Sequence, residues 1–460
     1  MGKTVQLFTG MFHDRGFYQK MLHIALPVMI QNFISSFLNM VDTVMVGKLG
    51  ETEIAAVGIA NQYFFFFNMF LFGLCAGCGI FISQFWGQKD TGNIKRILGI
   101  GLLSATIFSL VFMVLGLLFP RQVIALFNTD PVVIDIGAGY LRIVLVSYFF
   151  IGITFVYNFA LRSVGKATPP MLVSVVALVI NVFLNYVLIF GKFGAPQMGV
   201  AGAALATVIA RAMETTVLVL YVYIGQGVLA ASLRELTDVT WLFVKKSYQT
   251  IFPVILNDIC WGLASLVYVA VYGRMGTQAV AAIQICNTVN NLFLVAIIGL
   301  SGAAAVMVGN SIGAGNEEQA KDYAVRFSVL SIMGGMALGV ILAITAPVII
   351  INFNVSDTVK YHSQIILYII SVILFVRALG IMFIVGILRG GGDAARAFII
   401  EGFTMWFIGV PLTALGAFVF NLPVYLVYGL AGFEEIAKCV MSVQRLKSGK
   451  WINNVTLKMK

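Results

Sequence analysis

The sequence predicts an all-α polytopic membrane protein with twelve transmembrane helices in two pseudo-symmetric six-helix lobes. Three observations support this fold class: an apolar composition, a series of long apolar segments, and an internal repeat. Of the 460 residues, 60% are hydrophobic and only 10% are charged, whereas soluble domains have about 45–50% apolar and about 25% charged residues. This composition excludes a water-soluble enzyme, and it also excludes a disordered chain, which would be poor in apolar residues.

The apolar segments are long enough for helices that each need roughly 20 residues to cross a bilayer. Six lie at 22–46, 54–83, 97–119, 138–160, 170–190 and 199–224, and six more at 249–272, 279–310, 324–349, 363–386, 397–418 and 420–441. Strands of a membrane barrel would instead alternate over about ten residues. We therefore expect an N-terminal segment at 1–21, an N-lobe at 22–224, an interlobe linker at 225–247, a C-lobe at 248–441 and a basic tail at 442–460.

The basic residues indicate the orientation of the chain in a plasma membrane. With the N-terminus inside, 21 Lys and Arg residues fall in inner segments or at the inner ends of spans and five in outer loops, as the positive-inside rule requires. Both termini are then cytoplasmic, and the segment 1–21 does not have the pattern of a signal peptide. The net charge of +10 therefore reports orientation and does not indicate a nucleic-acid partner. We expect the tail with Trp451 to lie on the anionic inner leaflet.

An internal repeat links the two halves of the chain. At an offset of 226, Pro27 corresponds to Pro253, and six further matches include Asn61 with Asn287 and Gly87 with Gly313. At an offset of 227, one residue more, Leu161-Arg162 corresponds to Leu388-Arg389. Because six spans is an even number, both copies enter the membrane from the same side. Transporters built in this way bind substrate between their lobes and rock about that interface.

Polar residues inside the first apolar segments are the candidates for an ion-coupling site. Asp42 is the only carboxylate of the first segment, and it shares a stripe of about 80° with Gln31, Ser35 and Asn39. The stripe indicates a hydrated cavity or, alternatively, a polar helix-packing seam. Further oxygen donors lie in the fourth to sixth segments, namely Asn158, Asn181, Asn185 and Thr207. Such oxygens suit Na⁺, and a buried carboxyl equally suits H⁺. We interpret Arg211 and Glu214 as a structural ion pair.

The seventh segment carries Asp258, Trp261 and Tyr268, which largely share one face. An acidic and aromatic wall suits a cavity for lipophilic cations, although an aromatic packing face is an alternative. Asn287 is a weaker candidate for the same cavity, and Arg377 is expected to pair with Asp258 or to point outward. No nucleotide-binding loop or catalytic motif occurs. We therefore expect no enzyme activity and no cofactor, and an ion gradient as the energy source.

Several motifs resemble the multidrug and toxic compound extrusion (MATE) family. They are Val41-Asp42-Thr43-Val44-Met45-Val46-Gly47, Ala55-Ala56-Val57-Gly58, Met198-Gly199-Val200-Ala201-Gly202-Ala203-Ala204-Leu205-Ala206-Thr207, Leu161-Arg162-Ser163-Val164-Gly165-Lys166 and Leu388-Arg389-Gly390-Gly391-Gly392-Asp393. The resemblance covers about residues 20–440 and implies a bacterial-type antiporter that expels organic cations or drugs in exchange for Na⁺ or H⁺.

The resemblance also implies roles for individual residues. Asp42 matches the ion-coupling aspartate of the family's first helix, with a possible Na⁺ at that position. Asn181 matches an asparagine of the fifth helix, while Asn185 stands where many members have aspartate. Trp261 replaces a glutamate that some branches carry in the seventh helix. We expect a monomer, with a lipid-linked saccharide flippase of the same superfamily as the alternative, for which Arg377 is the only indication.

Overall fold

The computed structural model describes residues 14–351, 353 and 355–459, and this part of the chain contains helices and no strand. Six long helices make up the first half: α1 (Arg15–Gly47), α2 (Glu51–Gly87), α3 (Thr91–Leu118), α4 (Pro131–Val144 with Val146–Ser163), α5 (Thr168–Phe190) and α6 (Val200–Ile224). Six more follow: α7 (Trp241–Arg274), α8 (Thr277–Gly313), α9 (Glu317–Ile351), α10 (Asp357–Leu388), α11 (Ala394–Val419) and α12 (Val424–Lys447).

Each predicted span corresponds to one of these helices, which confirms the fold class. Ten of them are long and apolar enough to cross a membrane, and α4 makes eleven when its two parts, bent by 49°, are taken as one span. The twelfth, α12, has 24 residues but contains Glu434, Glu435 and Lys438. These charges lower its hydropathy below that of its neighbours, and they prove important for the candidate site.

Local sequence explains where several helices begin, end or change geometry. Asp90 caps α3 by accepting a hydrogen bond from the backbone N–H of Asn93 at 3.1 Å, and Asp130 caps α4 in the same way. Such caps satisfy N–H groups that have no partner within the helix. The helix α5 ends at Gly191, whose φ of 66° lies in the left-handed region that glycine adopts without strain. Within α10, the stretch Met382–Leu388 is a π-helix.

The chain divides into two compact units. The N-terminal unit comprises Ile30–Tyr248, and the C-terminal unit comprises the chain from Gln249 onward together with the start of α1 up to Met29. The start of α1 joins the C-terminal unit because Phe17 packs against the ring of Phe327 at 5.2 Å between centroids. Nearby, Asp14 forms a 2.7 Å ion pair with Arg326 of α9.

Close helix contacts in the C-terminal unit depend on glycines. A Cβ at Gly335 of α9 would lie 2.6 Å from the Cα of Phe375 in α10, whereas one at the neighbouring Gly334 would meet nothing within 4 Å. Similarly, a Cβ at Gly390 would lie 2.7 Å from the carbonyl oxygen of Ala305. Small residues allow helix backbones to approach this closely in membrane proteins.

The predicted linker at 225–247 contains structure of its own. A short helix, Leu233–Thr237, lies within it, and α7 already begins at Trp241. Glu235 pairs with Lys95 at 2.7 Å and Asp238 with Arg96 at 2.6 Å, so the linker is fixed to the start of α3. The polarity of this stretch obscured the beginning of α7 in the sequence. The predicted boundary at 224 coincides with the end of α6, whereas those at 22 and 248 lie seven residues inside α1 and α7, and the division into lobes stays a proposal.

The expected position of Trp451 on the membrane surface is wrong. Its indole is only 3% exposed, and a Cβ at Gly391 would lie 2.6 Å from its Cε3 atom. The backbone N–H of Asn453 donates to the Gly391 carbonyl at 2.7 Å, and Arg445 binds Asp393 at 2.6 Å. The basic composition of the tail predicted a lipid partner, but its apolar residue has a partner within the protein.

Candidate functional site

Three of the predicted ion-coupling residues meet in the N-terminal unit. The amide nitrogen of Asn185 donates to the Asp42 carboxylate at 2.5 Å and to the amide oxygen of Asn181 at 2.9 Å. Asn181 and Asn185 are almost fully buried, and they lie on one face of α5 because they are four residues apart. Among the described residues, no ion pair involves Asp42. The carboxylate is therefore held by a neutral amide and keeps its charge uncompensated by direct contact.

A second chain of hydrogen bonds runs beside this group and connects four helices. Arg162 donates to the side-chain oxygen of Gln31, and Gln31 donates to the Ser174 hydroxyl at 3.0 Å. Ser174 in turn donates to Glu214 at 2.9 Å, and Arg211 pairs with Glu214 at 2.7 Å. The predicted Arg211–Glu214 ion pair is thus present, but it also terminates a relay that begins at Arg162. Gln31, Ser174 and Glu214 are all buried.

A small polar cavity lies where these two groups approach each other. Its volume is about 20 Å³, and its polar lining residues are Ser35, Ser174, Asn181, Arg211 and Glu214. A cavity of at least about 10–15 Å³ with several polar partners can hold one water molecule. The polar stripe of α1 therefore borders a space suited to a single water or a small ion.

The remaining candidates of the N-terminal unit make more local contacts. The Ser35 hydroxyl donates to the Gln31 backbone carbonyl, and Thr207 donates to the Ala203 carbonyl at 3.0 Å. Asn39 is exposed, and its backbone carbonyl accepts from Thr43. Asn158 is buried, and its side-chain oxygen has no protein partner in the described part of the chain. The structure therefore does not bring Thr207 into hydrogen-bonding contact with Asp42.

In the C-terminal unit, Asp258 has a cationic partner that the sequence did not indicate. The Arg389 guanidinium binds its carboxylate at 2.6 Å, and Arg389 is 3% exposed. The expectation that Arg377 pairs with Asp258 is wrong, because Arg377 instead lies 3.6 Å from Glu435. Asp258 lies near the middle of α7, and Arg389 follows the last residue of α10, Leu388, about three helical turns beyond Arg377.

Lys438 of α12 is the centre of a larger group of charges. Its ammonium lies 3.1 Å from Glu434, 3.3 Å from Glu435 and 3.6 Å from Glu401. The Tyr268 hydroxyl donates to Glu434 at 2.6 Å, and the Asn257 amide donates to Glu401. We refer to the following residues as the C-unit charge cluster: Asp258, Arg377, Arg389, Glu401, Glu434, Glu435 and Lys438.

A cavity of about 200 Å³, which we call the C-unit cavity, opens beside this cluster. Four predicted residues line it, namely Trp261, Tyr268, Asn287 and Arg377, together with Tyr272, Tyr428, Glu434 and Glu435. Asp258 is not among its lining residues. The structure thus places an aromatic wall and a charged wall in one concave space, which is the usual make-up of a site for a small organic ligand.

Sequence reasoning missed the acidic and basic residues of α11 and α12. Glu401 lies inside the predicted segment 397–418, while Glu434, Glu435 and Lys438 lie inside 420–441. A usable signal was present, because ionisable residues within membrane helices are rare and mark functional positions. Among the described residues, no group of three or more His, Cys, Asp or Glu side chains is arranged to hold a metal ion.

Comparison with known proteins decides the family of this chain. The MatE family model matches residues 27–187 and again 253–415. The chain belongs to the MatE family. The two matches begin at Pro27 and Pro253, which is the offset of 226 found from the repeated residues. This confirms the resemblance to MATE efflux transporters, which are membrane transporters and not enzymes.

Relatives and a solved structure that cover 86–95% of the chain agree with the MatE assignment. The chain is 26% identical over 449 residues to the probable multidrug resistance protein NorM of Thermotoga maritima, covering 95% of this chain and 94% of the relative. It is 27% identical over 404 residues to the probable multidrug resistance protein YoeA of Bacillus subtilis, covering 86% of each. A crystal structure of MATE in complex with MaL6 superposes with a TM-score of 0.86 at 20% identity, covering 94% of this chain and 96% of that one.

Proposed function

We propose that this MatE protein exports amphipathic organic cations, including drugs, in exchange for Na⁺ or H⁺ by alternating access. The names of the relatives, multidrug resistance proteins, support drugs as substrates. Alternating access follows from the expectation that the repeated six-helix architecture rocks between two facing states, and Na⁺ or H⁺ as the coupling ion follows from the resemblance of Asp42 to the ion-coupling aspartate of the family. Coupling then requires that the ion binds one of these states more tightly than the other.

The environment of Asp42 is the observation that carries this proposal. The two acids that the sequence singled out differ in their partners: Asp258 is neutralised by Arg389 at 2.6 Å, whereas Asp42 is held by the neutral amide of Asn185 at 2.5 Å. A carboxylate without a direct cationic partner can gain and release a cation. Asn181 and Asn185 would orient Asp42, and the buried side-chain oxygen of Asn185, which lacks a partner in the described residues, could face a bound Na⁺.

Reconstituted vesicles provide the test of this assignment. Purified protein would be scored for uptake of ethidium, a fluorescent organic cation, under an imposed H⁺ gradient and separately under a Na⁺ gradient. The variant Asp42→Asn keeps the size of the side chain and removes its charge, so we expect gradient-driven transport to fall to background. The matched control is Asp135→Asn, because Asp135 is 60% exposed and pairs with Arg121 outside the buried network.

Two results would decide which ion is coupled to transport and whether Asp42 is the coupling residue. Loss of driven transport in Asp42→Asn under only one of the two gradients would identify the coupling ion. If Asp42→Asn transported as well as the parent under both gradients, the assignment of Asp42 as the ion-coupling residue would be wrong. A fall of equal size in Asp135→Asn would show that the assay reports general damage to the protein.

The composition of the C-unit cavity supports a cationic substrate over the flippase alternative. A flippase that handles anionic lipid-linked saccharides should present an excess of basic groups to its cavity. Here Arg377 is accompanied by Glu434 and Glu435, and aromatic rings of Trp261 and Tyr268 complete the wall. Aromatic faces attract cations, and the acids outnumber the base.

We also propose a monomer in the plasma membrane. Both termini would lie in the cytoplasm, an orientation that the distribution of basic residues supports. Reporter enzymes fused after residue 460 and within the loop between α1 and α2 would be active on opposite sides of the membrane. Activity of both reporters on the same side would contradict this topology.

A further inference from the structure

The charges around the C-unit cavity do not balance. The C-unit charge cluster contains four carboxylates, those of Asp258, Glu401, Glu434 and Glu435, and three basic groups, those of Arg377, Arg389 and Lys438. In their ordinary charged forms at neutral pH these groups leave a formal charge of −1. The tyrosines that face the cavity are neutral and do not change this sum.

The contacts within the cluster show where the excess charge lies. Asp258 and Arg389 neutralise each other at 2.6 Å, so the excess belongs to the three glutamates and their two bases. Lys438 contacts all three glutamates, and Glu435 also contacts Arg377. Lys438 itself does not line the cavity, but Glu435 and its neighbour Glu434 do. A ligand in the cavity therefore meets carboxylates whose charge is already partly offset by bases behind and beside them.

An uncompensated charge inside membrane helices is costly, because little water is present to solvate it. The cost is removed when the ligand brings the opposite charge. A ligand with one positive charge brings the formal charge of the cavity and its cluster to zero. A second positive charge on the ligand would be repelled by the Lys438 ammonium and the Arg377 guanidinium, with no unpaired carboxylate to offset it. Like-charge juxtaposition of this kind discriminates against the wrong partner.

The corresponding positions of the N-terminal unit show that this excess is particular to the C-terminal unit. Counted from the first residues of α6 and α12, which are Val200 and Val424, Arg211 takes the same position as Glu435 and Glu214 the same position as Lys438. The i,i+3 ion pair recurs with its signs reversed. In the candidate site of the N-terminal unit, the acids Asp42 and Glu214 are matched in number by Arg162 and Arg211, and the formal charge is zero.

From these observations we infer that Arg377 and Lys438 set the charge of the accepted substrate, so that the C-unit cavity selects singly charged aromatic cations over doubly charged ones. This inference rests on the proposed export of organic cations. Arg377 acts at the cavity wall. Lys438 is a positioning residue, which acts through Glu434 and Glu435. Removing either base brings the formal charge of the C-unit charge cluster to −2, and the cavity then favours a doubly charged ligand.

Ethidium and propidium form a suitable pair of probes, because both carry the same phenanthridinium ring and propidium has an additional quaternary ammonium. Binding to the purified protein would be measured by fluorescence titration, and export by flux in reconstituted vesicles. The variants are Lys438→Met and Arg377→Gln, which remove one positive charge each with similar side-chain length. Lys438→Arg, which keeps the charge, is the matched control.

We expect the parent and Lys438→Arg to prefer ethidium, and each charge-removing variant to shift the ethidium-to-propidium ratio of affinities toward propidium by at least about fivefold, as one unit charge nearby allows. An unchanged ratio in both variants, with ethidium export intact, would overturn the inference and leave the proposed function standing. Absence of ethidium binding and export in the parent would overturn both. If Lys438→Met does not fold, the ratio measured in Arg377→Gln alone decides whether the inference stands.

Discussion

Replacing Trp451 by alanine is expected to release the C-terminal segment from the helix ends against which it packs. The indole is buried at 3% exposure and lies against Gly391 of the α10–α11 turn. Beyond α12, the segment is also held by the buried side chain of Val455, which is 2% exposed, and by polar contacts such as the 2.7 Å hydrogen bond from Asn453 to the Gly391 carbonyl. Trp451 is the largest buried apolar side chain of this segment.

The size of the effect follows from the burial of this side chain. Truncating a buried tryptophan to alanine typically costs about 3–5 kcal/mol. Because the tail can detach without unfolding the helices, this cost applies first to local detachment. At the lower end of the range, about 3 kcal/mol raises the detached population about a hundredfold, since each 1.4 kcal/mol is a factor of ten.

Limited proteolysis measures this population directly. Trypsin can cleave after Lys450 once the segment has detached, and cleavage tracks the open population when reclosing is fast. We expect the cleavage rate in detergent, followed by mass spectrometry, to rise about a hundredfold in Trp451→Ala. The matched control is Trp241→Ala, because Trp241 is 79% exposed and its truncation should leave the rate unchanged.

Two outcomes would refute this reasoning. A cleavage rate in Trp451→Ala equal to that of the parent would show that the indole does not anchor the tail. Protection that appears only after anionic vesicles are added would show that lipid, rather than the α10–α11 turn, is the partner of the tail.

Three further predictions concern stability. Ser174→Ala interrupts the relay between two buried partners and should lower the free energy of unfolding by about 1–3 kcal/mol. Thermal unfolding in detergent would measure this, with Ser35→Ala, which loses only a bond to a backbone carbonyl, as the control that should change little. Gly335→Ala should lower the stability by about 1–3 kcal/mol through overpacking of α9 on α10. Gly334→Ala, where the added carbon meets nothing within 4 Å, should not, and equal melting temperatures would contradict the contact. The backbone N–H of Phe17 and the nearby Arg326 guanidinium lower the pKa of Asp14. The destabilisation caused by Asp14→Asn should therefore be full above about pH 3.9, the unperturbed value, and disappear as the pH falls through the lowered pKa. A difference between parent and variant that persisted at lower pH would exclude this ionisation as its cause.

The sequence grouped three residues that the structure joins in the N-terminal unit, and one of the two contacts between them is local. Asn181 and Asn185 are four residues apart, so any helix places them on one face, and Asp42 is the one acid of the first span. The structure joins all three by hydrogen bonds of 2.5 and 2.9 Å. Thr207 was grouped with them as a further oxygen donor, but its hydroxyl donates to the Ala203 carbonyl one turn earlier in α6.

The C-terminal cluster could be predicted only in part. The sequence marked the aromatic face of α7 and noted Arg377, and the cavity indeed includes Trp261, Tyr268 and Arg377. It assigned the wrong partner to Asp258, because two arginines lie in α10 and at its end, and nothing in their spacing from α7 distinguishes them. Glu401, Glu434 and Glu435 were not predicted, because their role depends on their contacts with Lys438 and not on a sequence motif.

By itself the sequence determined the membrane class, the twelve helices and the duplication, because these depend on apolar content, segment length and a fixed offset of 226 between Pro27 and Pro253. Only the tertiary structure decided which charges neutralise each other. Ion pairing depends on how helices far apart in sequence are rotated and how deep each residue lies. In the tertiary structure Asp42 accepts a hydrogen bond from the neutral amide of Asn185, and Asp258 pairs with Arg389. Lys438 lies among three glutamates.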